Sequence, residues 1–293
     1  MVIPTHDRRE LLPRALESVL DQTRLPGEVL VVDDGSTDGT AELVRSRYPS
    51  VRLLTQENRG VSAARNAGIE ASSFPWIAFL DSDDAWRPAK LERQLQALDR
   101  EDRGRRIGHT DEIWIRNGRR VNPGRRHRKR GGRIFEQCLE LCAMSPSSVI
   151  LHRSLLEEVG SFDEDLPACE DYDLWLRITC REPVLLVEEP LVVKHGGHED
   201  QLSRQPALDR YRIRALEKLL ATAPLSRDQR RAALETILEK LEIYLAGAAK
   251  RGRHREVRSW TERRRRWAAE LGDLPEARSP EVGAGGKPSD PGR

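Results

Sequence analysis

Three aspartates fall within four residues at Asp81-Ser82-Asp83-Asp84, directly after the apolar run Trp76-Ile77-Ala78-Phe79-Leu80. Holding like charges this close costs free energy unless water, a helix dipole or a cation offsets their repulsion. Mg²⁺ and Mn²⁺ take oxygen ligands, and Mg²⁺ commonly uses one or two carboxylates together with substrate phosphates and waters. Asp81 and Asp83 lie on one side of an extended turn, where they can bridge a metal and a nucleotide sugar ring. A second apolar run, Val29-Leu30-Val31-Val32, ends the same way in Asp33-Asp34-Gly35-Ser36. In an open parallel α/β sheet, ligands bind in the crevice outside the carboxyl ends of the strands. Each cluster alone suits an ordinary solvated turn; two at neighbouring strand ends point to one ligand on one rim.

Two further groups fit such a rim. Glu170-Asp171 opens a segment whose apolar face is Leu174, Trp175 and Ile178. Acidic residues in a first helical turn favour the helix dipole, and a carboxylate at a cleft wall can also take a proton from a hydroxyl nucleophile. Asn58-Arg59-Gly60-Val61-Ser62-Ala63-Ala64-Arg65-Asn66 follows a strand and opens a helix. Free N–H groups and small residues there suit an anion such as diphosphate, with Arg65 adding charge, while Ala63, Ala64 and Ala67 suit close packing on a sheet.

The elements that must position these groups alternate through the first hundred residues. Strands are expected at Val2-Ile3, 29–32, 51–54 and 76–80, and helices at 11–22 (with Pro13 in its first turn), 39–48, 61–71 and 88–98. This spacing indicates βαβ units and a parallel sheet. The first strand has only Met1-Val2-Ile3 before Pro4, short for a sheet centre, which leaves open an upstream start or a trimmed strand. Beyond Asp99 the pattern loosens to strands near 109–115, 149–151 and 184–187 and helices near 155–159 and 171–179. Residues 204–272 read as helix, in three pieces broken near Pro224 and Gly252. The tail 273–293 is rich in Gly, Pro, Ser and charge, too polar to order itself. The expected division is therefore 1–203, 204–272 and 273–293. The fold class expected is α/β, with helices flanking a mainly parallel sheet and an all-helical C-terminal extension.

Charged residues make up 33% of the chain and nearly cancel to a net +2, with a mean hydropathy of −0.64. No run approaches the roughly 20 apolar residues that span a bilayer. The amphipathic, charged N-terminal helix is not a signal peptide. The four cysteines, Cys138, Cys142, Cys169 and Cys180, have neither zinc-site spacing nor scaffold density and read as reduced thiols.

Six segments together resemble the family-2 glycosyltransferases: Ile3-Pro4-Thr5-His6-Asp7-Arg8, Val31 to Asp38, Asn58 to Asn66, Ala78 to Asp84, Gly160-Ser161-Phe162-Asp163-Glu164 and Glu170 to Trp175. The resemblance covers about residues 1 to 203 and rests on their ordered series. It implies a GT-A (Rossmann-like) fold and inverting transfer of a sugar from a nucleotide-diphosphate sugar, a UDP-sugar being favoured, to a glycan or lipid-linked acceptor. It further implies that Pro4, Thr5, Asp7, Asp33, Asp34, Arg65, Asp81 and Ser82 hold the donor, the Pro4-Thr5 backbone and Asp34 at the base and Asp81 at ribose or sugar. Asp83 would bind Mn²⁺ or Mg²⁺, and Asp171 would deprotonate the acceptor hydroxyl. Relatives often carry a C-terminal His near the diphosphate, and Lys194-His195-Gly196-Gly197-His198 offers two, of which His198 is favoured. Glu170, His195, Asn66 and Trp175 stand as further candidates. His6 stands where many relatives have Tyr or Phe.

Residues 119–133 are dominated by Arg, Lys, His and Gly. Nucleic acid is not expected there, because no aromatic is interleaved to stack bases. A solvated charged face is the ordinary reading; a loop over an anionic lipid-linked acceptor or a membrane surface is the functional one. Trp260 and Trp267 beside Arg263–Arg266 would likewise suit an anionic leaflet. The expected location is cytoplasmic, peripheral at the inner face of the plasma membrane, in polysaccharide, lipopolysaccharide or other glycoconjugate synthesis. A nucleotidyltransferase would want a basic Gly-rich loop after its first strand, which Pro4-Thr5-His6-Asp7 lacks. The main alternative is a non-catalytic nucleotide-sugar-binding or scaffold protein on the same fold, which retention of Asp83 and Asp171 speaks against.

Overall fold

The computed structural model describes residues 1–101, 104–197 and 208–274. Three strands, β1 (Val2–Thr5), β2 (Leu30–Asp34) and β3 (Arg52–Gln56), pair in parallel with β2 in the centre. Their crossovers are α1 (Leu12–Leu20) and α2 (Thr40–Arg47), and α3 (Val61–Ala71) leads on to β4 (Trp76–Ala78). In α1 the residues Leu12, Ala15, Leu16 and Val19 are buried, the spacing of a single apolar helical face. Along the first strands, successive residues enter opposite cores. Val2, Leu30 and Val32 join one, and Ile3 and Val31 join the other, as a strand covered on both faces requires.

Helix α3 lies unusually close to β1. A Cβ on Gly68 would come within 2.4 Å of Val2 Cγ1, so only glycine allows the approach. That closeness brings the N-terminal turn of α3, with Arg65, to the strand ends.

After β4 the sheet changes character. Residues Phe79 and Leu80 still lie parallel beside Val2, but β4 pairs antiparallel with β8 (Ile150–His152), which pairs antiparallel with β6 (Ile107–Arg116). β6 runs parallel to the long β9 (Leu185–Gly196), whose edge partner β5 (Ala85–Trp86) is antiparallel. Register shifts interrupt the β6–β9 pairing on either side of Asp111. The α/β expectation holds, with parallel order continuous in the first half and a mixed sheet in the second. The turn at 79–84 carries the chain from β4 at one end of this mixed sheet to β5 at the other.

The basic segment is partly strand: β7 (Arg119–Val121) folds back on β6. Helices α4 (Lys90–Arg100), α5 (Phe135–Glu140), α6 (Arg153–Val159) and α7 (Glu170–Thr179) complete the sheet-bearing part. The C-terminal helices are α8 (Asp209–Thr222), α9 (Arg227–Lys250) and α10 (His254–Asp273), broken where Pro224 and Gly252 predict. Ser226 and Gln229 form a reciprocal capping box at the start of α9. Tyr211, Leu216, Leu234, Leu241 and Trp267 share one apolar core with Phe79, Leu151 and Trp175. The helical extension is therefore packed onto the sheet-bearing part, and Lys218 of α8 pairs with Asp163 and Asp173 at 2.6 and 3.2 Å. The division expected at residue 203 and the tail 275–293 lie outside the described residues. No helix among the described residues is long and apolar enough to cross a membrane. All four cysteines are unpaired.

Candidate active site

The turn after β2 is held by its own carboxylates. Asp34 Oδ1 accepts hydrogen bonds from the Gln56 side chain at 2.7 Å and the Arg59 N–H at 2.9 Å, and its Oδ2 accepts from the Gly60 N–H at 2.8 Å. Asp33 Oδ1 accepts from Ser36 Oγ, and Ser36 Oγ accepts from the Asp7 N–H at 2.9 Å. Asp7, in the left-handed region at φ 48, accepts from the Thr37 N–H at 2.7 Å. His6 lies against the Asp34 carbonyl, 2.8 Å away. These contacts fasten the loops after β1, β2 and β3 together. Pro4 and Thr5 are buried in β1, and Thr5 Oγ1 has no hydrogen-bond partner among the described residues.

The turn after β4 behaves differently. The Asp81 N–H donates to Ser147 Oγ at 3.1 Å, and Ser147 Oγ donates to Asp84 Oδ2 at 2.7 Å. Asp84 Oδ1 accepts from the His195 N–H at 3.0 Å, stapling the turn to β9. Burial holds the Asp84 carboxyl well above the usual carboxylate range. Asp83 is also raised, by burial and then by the charge of Asp81. Its backbone carbonyl accepts from Arg14 at 2.5 Å, while its carboxylate bonds no other side chain among the described residues. Ser82 is buried.

Arg65 joins the two walls. Its guanidinium reaches Asp81 Oδ1 at 2.7 Å and Glu170 Oε1 at 2.6 Å, with its central carbon Cζ 5.1 Å from the centroid of the Phe162 ring. Burial alone would lower the Arg65 pKa, but the two carboxylates raise it. Glu170 is pushed up by burial and by its neighbour Asp171, against the pull of Arg65. Asp171, on the first turn of α7, accepts at Oδ2 from Cys142 Sγ at 3.1 Å and at Oδ1 from the Tyr172 N–H at 2.7 Å. Burial and the Asp171 charge keep Cys142 a thiol, its pKa well above the ordinary value.

Two of the sequence candidates prove to be supports. Asn66 clamps the segment 160–164 through Phe162 N–H and carbonyl and through Glu164. Trp175 is fully buried, and its Nε1 donates to the Met144 carbonyl at 2.9 Å, fixing the 142–148 segment that touches both Asp171 and Asp81. His195 contributes its backbone to Asp84. His198 lies outside the described residues.

The floor of the site holds groups that sequence reading passed over. Glu112 on β6 is buried beside Lys129 Nζ at 3.2 Å and accepts from Ser145 and Trp114. Burial pushes its carboxyl up, but Lys129 and Lys194 more than offset this and bring it down to about 2. The carboxylates of Glu112, Asp84 and Asp81 raise the Lys194 pKa despite its burial. A charged residue in an otherwise strand-like stretch was the available signal for Glu112; only the β6–β9 pairing brings Lys194 near it. Among the described residues no group of three His, Cys, Asp or Glu side chains is arranged to hold a metal ion.

The sequence model for "Glycosyl transferase family 2" matches residues 1–160. An uncharacterized glycosyltransferase of Rickettsia felis is 31% identical over 206 residues, covering 70% of this chain and 32% of that protein. The succinoglycan biosynthesis protein ExoO of Rhizobium meliloti is 45% identical over 100 residues, covering 33% of this chain and 29% of its own length. The chain thus spans about a third of the length of the Rickettsia proteins it matches first. Among solved structures, S. aureus TarS 1–349 in complex with UDP superposes with a TM-score of 0.64 at 18% identity, covering 84% of this chain and 71% of that one. At that identity the likeness concerns the fold.

Proposed function

The chain belongs to glycosyl transferase family 2, and from that premise we propose that it moves a sugar from a nucleotide-diphosphate sugar to an acceptor hydroxyl with inversion. The carrying observation is that Arg65 ties Asp81 to Glu170, so the acidic turn and the Glu170-Asp171 helix start stand on either side of one guanidinium. In this reading the loops after β1, β2 and β3 receive the nucleotide, with the Pro4-Thr5 backbone, Asp7, Asp33 and Asp34 around the base. Asp81 and Ser82 meet the ribose or sugar. A UDP-sugar is supported by the TarS complex, whose ligand is UDP. Asp171 takes the proton from the acceptor hydroxyl as that oxygen attacks the anomeric carbon, and the bond to the diphosphate breaks on the opposite face. Arg65 and Lys194 keep the acidic wall from repelling a dianionic leaving group.

Asp83 fits a divalent cation by its chemistry, being an oxygen donor raised by burial and by Asp81 and engaged by no other side chain among the described residues. Substrate phosphates and waters would complete such a shell, with His198 as the other proposed protein ligand. Bound Mn²⁺ or Mg²⁺ would supply positive charge to the leaving diphosphate. An acceptor in polysaccharide or related glycoconjugate synthesis is supported by the ExoO likeness. A cytoplasmic placement is supported by the donor, since a charged nucleoside diphosphate does not cross lipid unaided, whereas Trp267, expected at a membrane surface, is buried in the core.

The test is thermal shift with UDP, GDP, dTDP and CDP, each with and without Mn²⁺, because a ligand binding only the native state raises its stability. One nucleotide should stabilise the chain in a metal-dependent way that Asp83→Ala removes. Asp171→Asn should keep that shift and lose about 10²–10⁴-fold in transfer. A chain that no nucleotide stabilises, or near-normal turnover in Asp171→Asn, would overturn the assignment.

A further inference from the structure

The basic segment is fastened to the sheet. Its β7 pairs Trp114 with Val121 and Arg116 with Arg119, and the His127 ring lies 5.3 Å from that of Trp114. Gly132 and Val184 exchange hydrogen bonds of 2.7 and 2.8 Å. His109 Nε2 meets the Arg130 carbonyl at 2.8 Å, and Gln137 donates to the Arg128 carbonyl at 2.8 Å. Between these anchors a cleft of about 360 Å³ is lined by Arg125, His127, Arg128 and Lys129, with Asp111 and Glu188 also on its wall. That is within the range of small-ligand sites, roughly 300–1,000 Å³.

Lys129 connects this cleft to the catalytic wall. Its Nζ stands 3.2 Å from Glu112 and donates to the Ala143 carbonyl at 3.0 Å. Ala143 follows Cys142, whose Sγ is 3.1 Å from Asp171 Oδ2. The cleft therefore adjoins the side of the site that carries the base. The arginines between residues 116 and 133 form no ion pair with a carboxylate among the described residues, Lys129–Glu112 being the segment's ion pair. The eight arginines from 116 to 133 outnumber Asp111 and Glu188 on the cleft wall, and that excess of positive charge favours an anion. Among the described residues the exposed large apolar side chains are Leu25, Phe74 and Ile243, all outside this segment, so it offers no apolar wedge for a bilayer.

We propose that the cleft under residues 123–129 is the acceptor subsite and that it takes an anionic glycan, one whose sugars carry carboxylate or phosphate groups. The proposal rests on the glycosyltransferase reading and deepens it by naming the acceptor class. Arg125 and Arg128 grip the anionic groups, and Lys129 positions the chain end toward Asp171.

The experiment measures binding of the full chain to polygalacturonate, to phosphomannan, to neutral dextran, and to phosphatidylcholine vesicles with and without phosphatidylglycerol. One or both anionic glycans should bind, with affinity falling at least about tenfold from ~50 to ~200 mM salt, and dextran should not. Which anionic glycan binds tells carboxylate from phosphate. The variant Arg125→Ser/Arg126→Ser/Arg128→Ser should lose at least about tenfold, whereas Arg264→Ser/Arg265→Ser, in the other basic cluster, should stay within about twofold. Equal loss in both variants, wild-type binding in the first, or capture by anionic vesicles without either glycan overturns the subsite. The nucleotide shift, measured on the same variants, separates the two failures. Its persistence without glycan discrimination strikes only the subsite, and its absence from the wild-type chain strikes the glycosyltransferase reading itself.

Discussion

Asp34 and Asp83 are both carboxylates in turns that follow apolar strands, yet they sit in opposite states. Asp34 accepts three hydrogen bonds from Gln56, Arg59 and Gly60 and spends its charge holding the start of α3. Asp83 bonds no other side chain among the described residues, and burial and Asp81 raise its pKa. In the first turn Asp34 is finished by the protein itself, and in the second Asp83 is left unfinished, with acceptor capacity for something else. A cluster's residue types therefore say less about ligand binding than whether neighbouring N–H groups have already been assigned to it.

The largest effect that would break this contrast concerns Arg65, which ties the unfinished turn to α7. Arg65→Met leaves Asp81 and Glu170 without their shared cation, and the expected loss is about 3–5 kcal/mol in urea unfolding. A smaller loss would mean that water already serves those carboxylates. Next comes acid sensitivity near the second region. Burial, and then the Lys129 charge, lower His109 from 6.5 to about 4. Because the folded value lies below the unfolded one, the unfolded chain binds more protons as pH falls from 6.5 to about 4, and stability declines through that window. The decline amounts to at most about 3 kcal/mol. His109→Gln should flatten that slope, and an unchanged slope would place the acid response elsewhere.

The sharpest comparison is smaller. Asp34→Ala strands three donors and should cost about 2 kcal/mol, with the nucleotide shift weakened through the displaced loop. Asp83→Asn removes a carboxylate under repulsion and should stay within about 0.5 kcal/mol of the parent, while losing the metal-dependent part of the nucleotide shift. If the two variants unfold alike, the distinction between a finished and an unfinished turn is wrong.

Much of the architecture was legible because burial imposes periods on sequence. Helix 61–71 emerged with its expected ends, and the breaks at Pro224 and Gly252 separate α8, α9 and α10. The β7 hairpin and the length of β9 were not legible. Arginines carry little strand signal, and the charged residues of β9, such as Glu188, Glu189 and Lys194, interrupt its apolar pattern. Within the site, the acidic turns, Arg65 and the Glu170-Asp171 pair were visible as motifs. Trp175 and Asn66 carried the same motif signal but pack and clamp.

The sequence by itself determined the α/β alternation, the placement of Asp81, Asp83 and Asp171 at element ends, and the resemblance that names a chemistry. Such features are local, set by periodicity and by turn chemistry a few residues long. Only the tertiary structure decided which carboxylates are already satisfied, that Arg65 joins Asp81 to Glu170, that Cys142 faces Asp171, and that Lys129 and Lys194 stand by Glu112. Those contacts join residues 16 to 105 positions apart, and the electrostatic state of a carboxylate depends on burial and on neighbours that only the folded chain supplies.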